Sequence, residues 1–548
     1  MSTTKRTVLV ASITLLGILA ISALHRVDAV ELNAEDFVSL ATQGFMTAVD
    51  GQHPEGSQRN SYIWSMRWWQ DKLYVGTARD FLCTVGESQG FTPQGLGCPP
   101  AGTLTPDQRG EIWQYTPGGK DGTQGTWQRV FQAPLLLSEL SQDIDLTQIP
   151  NLDQIPDLTQ IPRDIGYRSM IDCDAGGEDL LYVTSFGIGG RLLYTRDGTT
   201  FQRASIGNLD LVHNLGYRAV ACWKGRLWIS PAGSLTINGS FPDVTFDIVP
   251  DNAFRPVLLV NDDPSNRLSP WQEVLDVASD PQLGNAGNVG IYSMEVFRDT
   301  LYLGVANQTT GFELWKADGA KCDRPPGRCV LTWEKLIDNG GGRPVPEGET
   351  ANNARIFNFA AFKDYLYWGA SESGLFKLTT AELGRIGPDD RWDLIVGELR
   401  DASAMAAYAN FNCQHDDSSC VPLSGKGPGF GPNPLTPGFA NYIWSLEKHD
   451  GSLYAATFDA ITLLIAGGFP NIPPGAVPGF DLWRSSNGTS WSLVFNDGFG
   501  NPFNYGGRNL TSTPLGLFVG TANPFTGQNG SNGGTGGGEV WIGVGGEE

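Results

Sequence analysis

One pattern of alternating apolar and polar residues recurs along the chain. An apolar strand is followed by a polar turn and a second strand, which begins with Leu-Tyr or a close variant and runs into small residues. The copies begin at Tyr62, Tyr167, Tyr217, Ile291, Ile356, Tyr442 and Gly507. Period-two alternation on both sides of a short turn predicts a β-hairpin at each copy.

Two further strands follow most copies. The third reads GEIWQYT, RLLYTRD, FELWKAD, GLFKLTT or FDLWRSS, and the fourth is led by an aromatic residue, as in TWQRVF and SWSLVF. Four antiparallel strands repeated in this way predict an all-β fold, a seven-bladed β-propeller. The last copy lacks a fourth strand, whereas residues 36–40 form an unmatched one. We therefore expect this N-terminal strand to complete the seventh blade and close the ring, which would protect the last strand edge.

The first 29 residues have the pattern of a leader. Lys5 and Arg6 precede an apolar run over residues 8–24, and small or apolar residues follow at 27–29. This pattern predicts a secretory signal peptide, with an uncleaved membrane anchor as the alternative because the apolar run is long. Residues 30–548 would then form one propeller that is secreted, periplasmic or held at the cell surface. A membrane is an expected partner only if the leader stays uncleaved.

Composition and charge narrow the class of partner. Of the 548 residues, 70 are glycine and 34 are proline, and only 18% are charged, which suits short strands joined by turns. The formal net charge is -22. Nucleic acid is excluded as a partner, because affinity for phosphates comes from clustered cations.

The eight cysteines predict four disulfides in an oxidising compartment. Three pairs are neighbours in sequence and the fourth joins two segments: Cys83–Cys98, Cys322–Cys329, Cys413–Cys420 and Cys173–Cys222. Metal binding by cysteine is the alternative, but no CxxC motif or His-rich cluster supports it. No cofactor is expected. Calcium stays open at Asp262-Asp263, Asp416-Asp417 and Asp143 with Asp145, although none has EF-hand spacing.

Long insertions are expected on one face of the ring. In a propeller, the links from strand two to three and from blade to blade share a face. The bulk of the chain outside the strands falls in such links, at 78–110, 133–166, 230–256, 397–440, 458–480 and 523–538. We call this loop-rich face of the ring the mouth. Binding residues gather on long loops of a rigid scaffold, although the insertions would also serve simply to cover the channel.

Three turns between third and fourth strands share a motif. They read TRDGTTF from Thr195, SSNGTSW from Ser485 and KADG from Lys316. The motif resembles the Asp box of sialidase-like propellers, with a turn shorter by one residue. In that family the Asp box is structural and lies away from the active site. The resemblance therefore implies a propeller fold and transfers no catalytic residue.

One repeat position combines arginine with aromatic residues. It lies near the start of each innermost strand, toward the mouth, and reads Trp64, Arg168, Arg218, Tyr292, Phe357, Trp444 and Arg508. Guanidinium groups bind carboxylate, sulfate or phosphate, and aromatic faces stack on sugar rings. This pattern predicts a binding site for an acidic saccharide. Alternatively, each arginine stacks between blades and has a structural role.

Acidic residues near the mouth keep an enzymatic interpretation open. Arg79, Asp80, Glu372 and Asp459 follow second strands. Paired carboxylates there would serve as general acid and base in glycoside cleavage, whereas isolated ones would be solvated or bind calcium. We expect an exported, non-catalytic propeller that binds a polysaccharide or protein ligand or acts as a scaffold. A glycan-active hydrolase or lyase using carboxylates at the mouth is the alternative.

Overall fold

The computed structural model describes residues 31–45, 57–83, 108–136, 161–187, 189–205, 209, 214–238, 245–249, 252–253, 255–322, 329–345, 347–371, 380–416, 418–466, 474–525 and 535–545. These residues form a propeller-like, all-β fold of antiparallel sheets. Strand β1 (Phe37–Ala41) opens the described chain. The other strands follow in groups of four, numbered here one to seven in chain order.

The first four groups follow one another without sharing strands. Group one contains β2 (Asn60–Trp69), β3 (Lys72–Arg79), β4 (Glu111–Thr116) and β5 (Thr126–Gln132). Group two contains β6 (Asp164–Cys173), β7 (Leu180–Gly187), β8 (Leu192–Thr195) and β9 (Gln202–Arg203). Group three contains β10 (Tyr217–Trp223), β11 (Arg226–Pro231), β14 (Val257–Asn261) and β15 (Gln272–Asp276), and between them lies the separate hairpin β12 (Ser234–Asn238) and β13 (Thr245–Val249). Group four contains β16 (Asn288–Phe297), β17 (Thr300–Asn307), β18 (Glu313–Cys322) and β19 (Cys329–Ile337).

The last three groups include the N-terminal strand. Group five contains β20 (Arg355–Phe362), β21 (Tyr365–Ser371), β22 (Glu382–Ile386) and β23 (Trp392–Val396), followed by the small strands β24 (Arg400–Asp401), β25 (His415–Asp416) and β26 (Ser419–Cys420). Group six contains β27 (Ala440–His449), β28 (Ser452–Asp459), β29 (Leu482–Ser485) and β30 (Ser492–Phe495). Group seven contains β31 (Gly506–Thr513), β32 (Gly516–Ala522), β33 (Val540–Gly543) and β1.

Helices in the described residues are short. The α-helical segments are Asn339–Gly342, Ala402–Met405 and Ile461–Ala466, and the 3-10 segments are Ala34–Asp36, Gln43–Phe45, Ser57–Arg59 and Pro428–Phe430. No helix in the described ranges is long and apolar enough to cross a membrane. The predicted leader, residues 1–29, lies outside the described residues.

Tight turns join the first and second strands of several groups. Gln70-Asp71, Lys224-Gly225, Arg298-Asp299 and Asp450-Gly451 have positive φ at both central residues. Such two-residue turns match the right-handed twist of the paired strands. The hairpins predicted from the repeated sequence pattern are present in all seven groups.

Side chains on the first strands link neighbouring groups. One repeat position carries Ser or Asn, whose side chain bonds the backbone of the next first strand: Ser65 to Tyr167 O at 2.9 Å, Ser169 to Arg218 O at 2.6 Å, Ser293 to Ile356 O at 2.8 Å, Asn358 to Ile443 O at 2.7 Å and Asn509 to Ile63 O at 2.5 Å. The bond from Asn509 joins group seven to group one. Its geometry matches the bonds between groups that are consecutive in sequence.

Two strand predictions differ from the structure. In group five the third strand is Glu382–Ile386 rather than GLFKLTT, of which residues 374–379 lie outside the described part. Glu382 begins this strand as Glu111 begins the third strand of group one, and both carboxylates are buried. The KADG segment from Lys316 is not a turn, because β18 continues through it to Cys322 and pairs with β19.

Three predicted disulfides are formed: Cys173–Cys222, Cys322–Cys329 and Cys413–Cys420. Cys83 is also disulfide-bonded, and its predicted partner Cys98 lies outside the described residues. Three disulfides indicate an oxidising environment.

Candidate functional site

The predicted arginine and aromatic position brings together side chains from several strand groups. Trp64, Tyr292 and Phe357 belong to one buried cluster with Tyr62 and Tyr442, although these residues come from first strands of four groups. The structure therefore brings aromatic side chains from the first strands of four groups into one cluster. We call this cluster, together with the arginines that stack on it, the chamber.

Each arginine at this position stacks on an aromatic ring of the chamber. The guanidinium carbon of Arg168 lies 5.4 Å from the Trp64 ring centroid. Arg218 lies 3.7 Å from the Tyr292 ring and donates from Nε to the Tyr292 carbonyl at 3.0 Å. Arg508 lies 5.2 Å from the ring of Trp444. Such contacts orient the three cations.

Arg508 has the least favourable environment of the three. Its side chain is buried, with 9% of the residue exposed, and Nε finds no acceptor in the described part of the chain. Burial lowers the pKa of Arg508 to about 9, and the positive charges of Arg218 and Arg168 act in the same direction. The three guanidinium groups are thus close enough to repel one another, which makes the chamber a strongly positive site.

A fourth arginine was missed by the sequence reasoning. Arg355 is almost fully buried, stacks 5.1 Å from the ring centroid of Tyr292 and donates to its hydroxyl at 3.4 Å. Tyr292 therefore lies between Arg218 and Arg355. Arg355 precedes Phe357 by two residues, so an alignment on the aromatic position does not select it. The repeat position that carries Tyr62 in group one and Tyr442 in group six carries Arg355 in group five, so a comparison at that position would have found it.

Loop residues cover the mouth side of the chamber. Phe81 packs on Trp64 with ring centroids 4.7 Å apart, and Leu82, Leu463 and Phe525 join the same buried cluster. Described residues from three of the predicted insertions therefore pack against the aromatic residues of the chamber.

Three other predicted mouth residues have different surroundings. Buried Arg79 lies 3.4 Å from the Glu111 carboxylate and donates to Asn60 at 3.2 Å. Asp80 accepts from Arg59 at 2.5 Å and is equally buried. Both are thus held within group one by ion pairs. Glu372 lies outside the described residues.

Asp459, the fourth such residue, meets a second carboxyl group. It is buried at the end of β28, and the carboxylate of Asp481, the residue before β29, acts on it. Burial, with this neighbouring charge, raises the pKa of Asp459 well above its usual value, and burial raises the pKa of Asp481 to about 7. The sequence did not suggest Asp481, because its position carries glutamate in most groups.

A second pair of carboxyl groups lies on the first strands of groups four and six. Glu295 and Glu447 follow Tyr292 and Trp444 by three residues, and burial raises the pKa of each to about 7. The charge of Glu295 acts on Glu447, and Arg67 acts on both. These residues belong to groups four, six and one, so side chains from three groups interact here. The sequence analysis missed this pair.

The acidic pairs considered for calcium are only partly described. Asp262 accepts from Arg226 at 2.7 Å, and Asp263 accepts from Ser265 at 2.8 Å. Asp143, Asp145 and Asp417 lie outside the described residues. Within the described ranges, Cys173, Asp174 and Cys222 bring three potential metal ligands within 4.8 Å of one another, but the two sulfurs form a disulfide.

Two of the turns that resemble an Asp box share one hydrogen-bond pattern. Asp197 accepts from the backbone of Thr199 at 2.8 Å and of Thr200 at 2.7 Å, and Asn487 does the same for the two residues after Gly488. These backbone donors hold the pKa of Asp197 well below its usual value. The turns cap strand ends and contribute nothing to the chamber.

Known proteins resemble the chain only distantly. No protein-family model matches the sequence, and no curated protein matches it. Among solved structures, Sqt1 of Saccharomyces cerevisiae is 7% identical, with a TM-score of 0.36 over 89% of this chain and 97% of that chain. The α-L-arabinanase of Penicillium chrysogenum, solved with arabinobiose, is 10% identical, with a TM-score of 0.31 over 77% and 93%. An ulvan lyase of polysaccharide lyase family PL25 is 11% identical, with a TM-score of 0.33 over 64% and 75%. These values assign no function to this chain.

Proposed function

We propose that the chain is an exported, single-domain, seven-bladed propeller that binds an acidic saccharide through its anionic group in the chamber. The strand groups would be the blades, and β1 would complete the seventh. The antiparallel pairing of Phe37 with Gly543 and the bond from Asn509 to Ile63 support closure between the last group and the first. The disulfides support export.

Arg508 carries the proposal for the ligand. A buried guanidinium beside two others is costly unless an anion compensates for the charge. A carboxylate beside Arg508 would accept from its Nε, which has no acceptor in the described part of the chain, and would raise the pKa of Arg508 toward its ordinary value. Aromatic rings around it would stack on the sugar.

Calorimetric titration of the full chain with glucuronate and galacturonate oligosaccharides tests this function. The Arg508→Met variant should bind at least about tenfold more weakly, since one charged hydrogen bond contributes roughly 1.5–3 kcal/mol. Affinity should also fall with added salt. The Arg385→Met variant is the control, because Arg385 stacks on Tyr365 and pairs with Asp393 away from the chamber. Equal binding by both variants, or no binding of any acidic saccharide, would contradict the proposal.

A glycan-active hydrolase is the second candidate, and Glu295 with Glu447 favours it. A carboxyl group with a pKa near 7 suits a general acid, and two carboxyl groups in one channel suit glycoside cleavage. The catalytic carboxylates would then be Glu295 and Glu447 rather than the acidic residues predicted at the mouth. Release of reducing ends from acidic and neutral polysaccharides by the wild type, but not by Glu295→Gln or Glu447→Gln, would establish it. Retention of saccharide without turnover would exclude it.

A further inference from the structure

A cavity of about 870 Å³ lies between groups two and three. Its walls come from the β6–β7 turn, the β10–β11 turn and the link from β14 to β15. These connections join first to second strands and third to fourth strands, whereas the mouth is formed by the other links. The cavity is therefore separate from the chamber, and its volume is typical of a small-molecule site.

The walls of this cavity are held in place by the fold. Buried Asn261 accepts from the backbone N–H of Asp263 at 2.9 Å and from the Ser269 hydroxyl at 2.7 Å, so the β14–β15 link is fixed at two points. The Cys173–Cys222 disulfide joins the ends of β6 and β10, where the other two turns begin. A wall that is already ordered lowers the entropic cost of binding a ligand.

The β14–β15 link differs from the corresponding turns of groups two and six. In those turns a glycine fits against a tyrosine of the preceding group, since a Cβ at Gly198 or Gly488 would lie 1.8 Å from that tyrosine's hydroxyl. The two tyrosines, Tyr74 and Tyr367, also accept from a side chain of their own third strand. Tyr182 takes the same position in group two, but the longer link of group three replaces the glycine turn beside it.

Tyr182 consequently has a buried hydroxyl without a partner. The residue is 1% exposed, and its hydroxyl makes no hydrogen bond in the described part of the chain. Burial, with the charge of Asp263 in the cavity wall, raises the pKa of Tyr182. A buried donor without an acceptor is unfavourable, so a ligand oxygen that accepts from this hydroxyl would remove the cost.

Two carboxylates of the cavity wall are not compensated by cations. Asp262 accepts from Arg226 at 2.7 Å, but Asp174 and Asp263 have no ion pair within the described ranges. The three aspartates do not form a group of metal ligands, because the described residues that converge within 4.8 Å are Asp174 and two disulfide sulfurs. The cavity therefore suits a cation larger than a metal ion.

We propose that this cavity is a second binding site, which takes an organic cation of the amino-sugar class. The ammonium group would bind the carboxylates of Asp174 and Asp263, and Leu268 would provide an apolar contact for the ring. A simple alkylammonium satisfies only the carboxylates, whereas sugar hydroxyls also offer bonds to Tyr182 and Gln272. The net charge of -22 attracts a cation from a distance. The site does not depend on the proposed function.

Calorimetric titration of the full chain with glucosamine tests the site at about pH 6, where the amino group is protonated. Glucosamine should bind at least about tenfold more tightly than glucose, which lacks the cation, or methylamine, which lacks the hydroxyls. Asp263→Asn and Asp174→Asn should each weaken glucosamine binding about tenfold. Asp71→Asn is the matched control, because exposed Asp71 lies in the corresponding first turn of group one and should not affect binding.

Tyr182→Phe separates a binding role from a structural one. Loss of a hydroxyl that has no partner in the described residues should leave the melting temperature unchanged or raise it, while glucosamine binds about threefold to tenfold more weakly. A lower melting temperature with unchanged affinity would overturn the proposal. So would equal affinity for glucosamine in the wild type, Asp174→Asn and Asp263→Asn.

Two further titrations separate this site from the chamber and from a metal site. Arg508→Met should bind glucosamine as the wild type does, so a failure of acidic saccharides to bind leaves the second site standing. A loss of glucosamine binding in Arg508→Met would place the ligand in the chamber and overturn the proposal. Displacement of glucosamine by calcium on the order of 1 mM would also overturn it, since the carboxylates would then hold a metal ion.

Discussion

At the scale of single residues, buried carboxylates show that an acidic side chain, a residue type that often serves as a catalytic group, can have a structural role instead. Glu382 is fully buried and accepts from Arg400, and Arg343 lies 3.7 Å away. Burial raises the pKa of Glu382, but these two cations outweigh it, so that its pKa falls below the usual value. The group is therefore ionised and bridges two guanidinium groups within group five.

Replacement of Glu382 by glutamine should be strongly destabilising. Two buried guanidinium groups would lose their shared anion, and the expected loss of unfolding free energy is about 3–5 kcal/mol. Glu398→Gln is the control, because Glu398 binds Arg343 from the surface with 42% of its side chain exposed. Urea titration should show a change below about 1 kcal/mol for the control. Similar losses of unfolding free energy for both variants would mean that the burial of Glu382 between its two guanidinium groups contributes little to stability.

Asp481 gives a pH dependence of opposite sign to that of Glu382, because burial raises the pKa of Asp481 whereas two cations lower the pKa of Glu382. Burial raises the pKa of Asp481 to about 7, so the unfolded chain ionises first as pH rises. Stability is therefore full below the unfolded pKa near 4 and is lost between about pH 4 and pH 7. Asp481→Asn should raise the unfolding free energy by about 1–3 kcal/mol at pH 7.5 and leave it unchanged near pH 4. A difference in unfolding free energy between Asp481→Asn and the wild type that stays constant from pH 4 to pH 7.5 would contradict the raised pKa of Asp481.

At the scale of elements, glycine makes possible the tight turns between third and fourth strands. Gly198 has φ 71°, and a Cβ there would lie 1.8 Å from the Tyr74 hydroxyl of group one. Gly488 meets Tyr367 of group five in the same way. The turns thus fix the contact between neighbouring groups as well as the hairpin.

Gly198→Ala should therefore cost more than backbone strain alone. Gly177→Ala is the matched control, since Gly177 has φ 85° and a Cβ added there would have no atom within 4 Å. The control should lose about 1 kcal/mol from its positive φ, and Gly198→Ala should lose about 1–3 kcal/mol more from overpacking. Thermal unfolding measures both. Equal losses would show that the contact with Tyr74 relaxes without cost.

The disulfides should differ in their contribution to stability. Cys173–Cys222 closes a loop with a sequence separation of 49, whereas Cys322–Cys329 has a separation of 7. Loop-closure entropy gives about 4 kcal/mol for the first and about 2.5 kcal/mol for the second. Paired Cys→Ala variants in denaturant titrations should follow this order. The reverse order would show that native-state contacts, and not loop length, decide the effect.

Sequence periodicity could predict the hairpins because each one satisfies a local pattern of alternation and turn. It could not place the third strand of group five, because the choice between GLFKLTT and Glu382–Ile386 depends on cations supplied from outside the strand. The arginine column was also predicted, since it repeats with the hairpins. Arg355 and Asp481 lie in other columns, and their importance follows from neighbours that only the folded chain brings together.

At the scale of the whole molecule, charge is distributed unevenly. The chain has a formal net charge of -22, yet four arginines converge on the chamber. An anionic ligand would be repelled at long range and attracted only once it approaches the mouth. Such a charge distribution favours selectivity over rapid association. Added salt would weaken both the long-range repulsion and the attraction near the mouth.

The N-terminal strand is the closing element of the proposed ring. Strand β1 pairs with β33 at the end of the chain, and buried Leu32, Phe37 and Phe45 pack into the neighbouring core clusters. Burial of three such side chains contributes about 1.5–3 kcal/mol each. Phe45 also stacks on Trp113 of group one at 4.6 Å, so residues 31–45 contact both sides of the closure.

A chain that starts at residue 46 should therefore melt roughly 10 °C below a chain that starts at Glu31. Phe37→Ala and Val38→Ala provide a finer comparison within the same strand, because Phe37 is buried and Val38 is 42% exposed. The first should destabilise by about 3 kcal/mol or more and the second by less than about 1 kcal/mol. If the truncated chain melts like the longer one, β1 does not close the ring, and the edge of β33 must be protected by another part of the molecule.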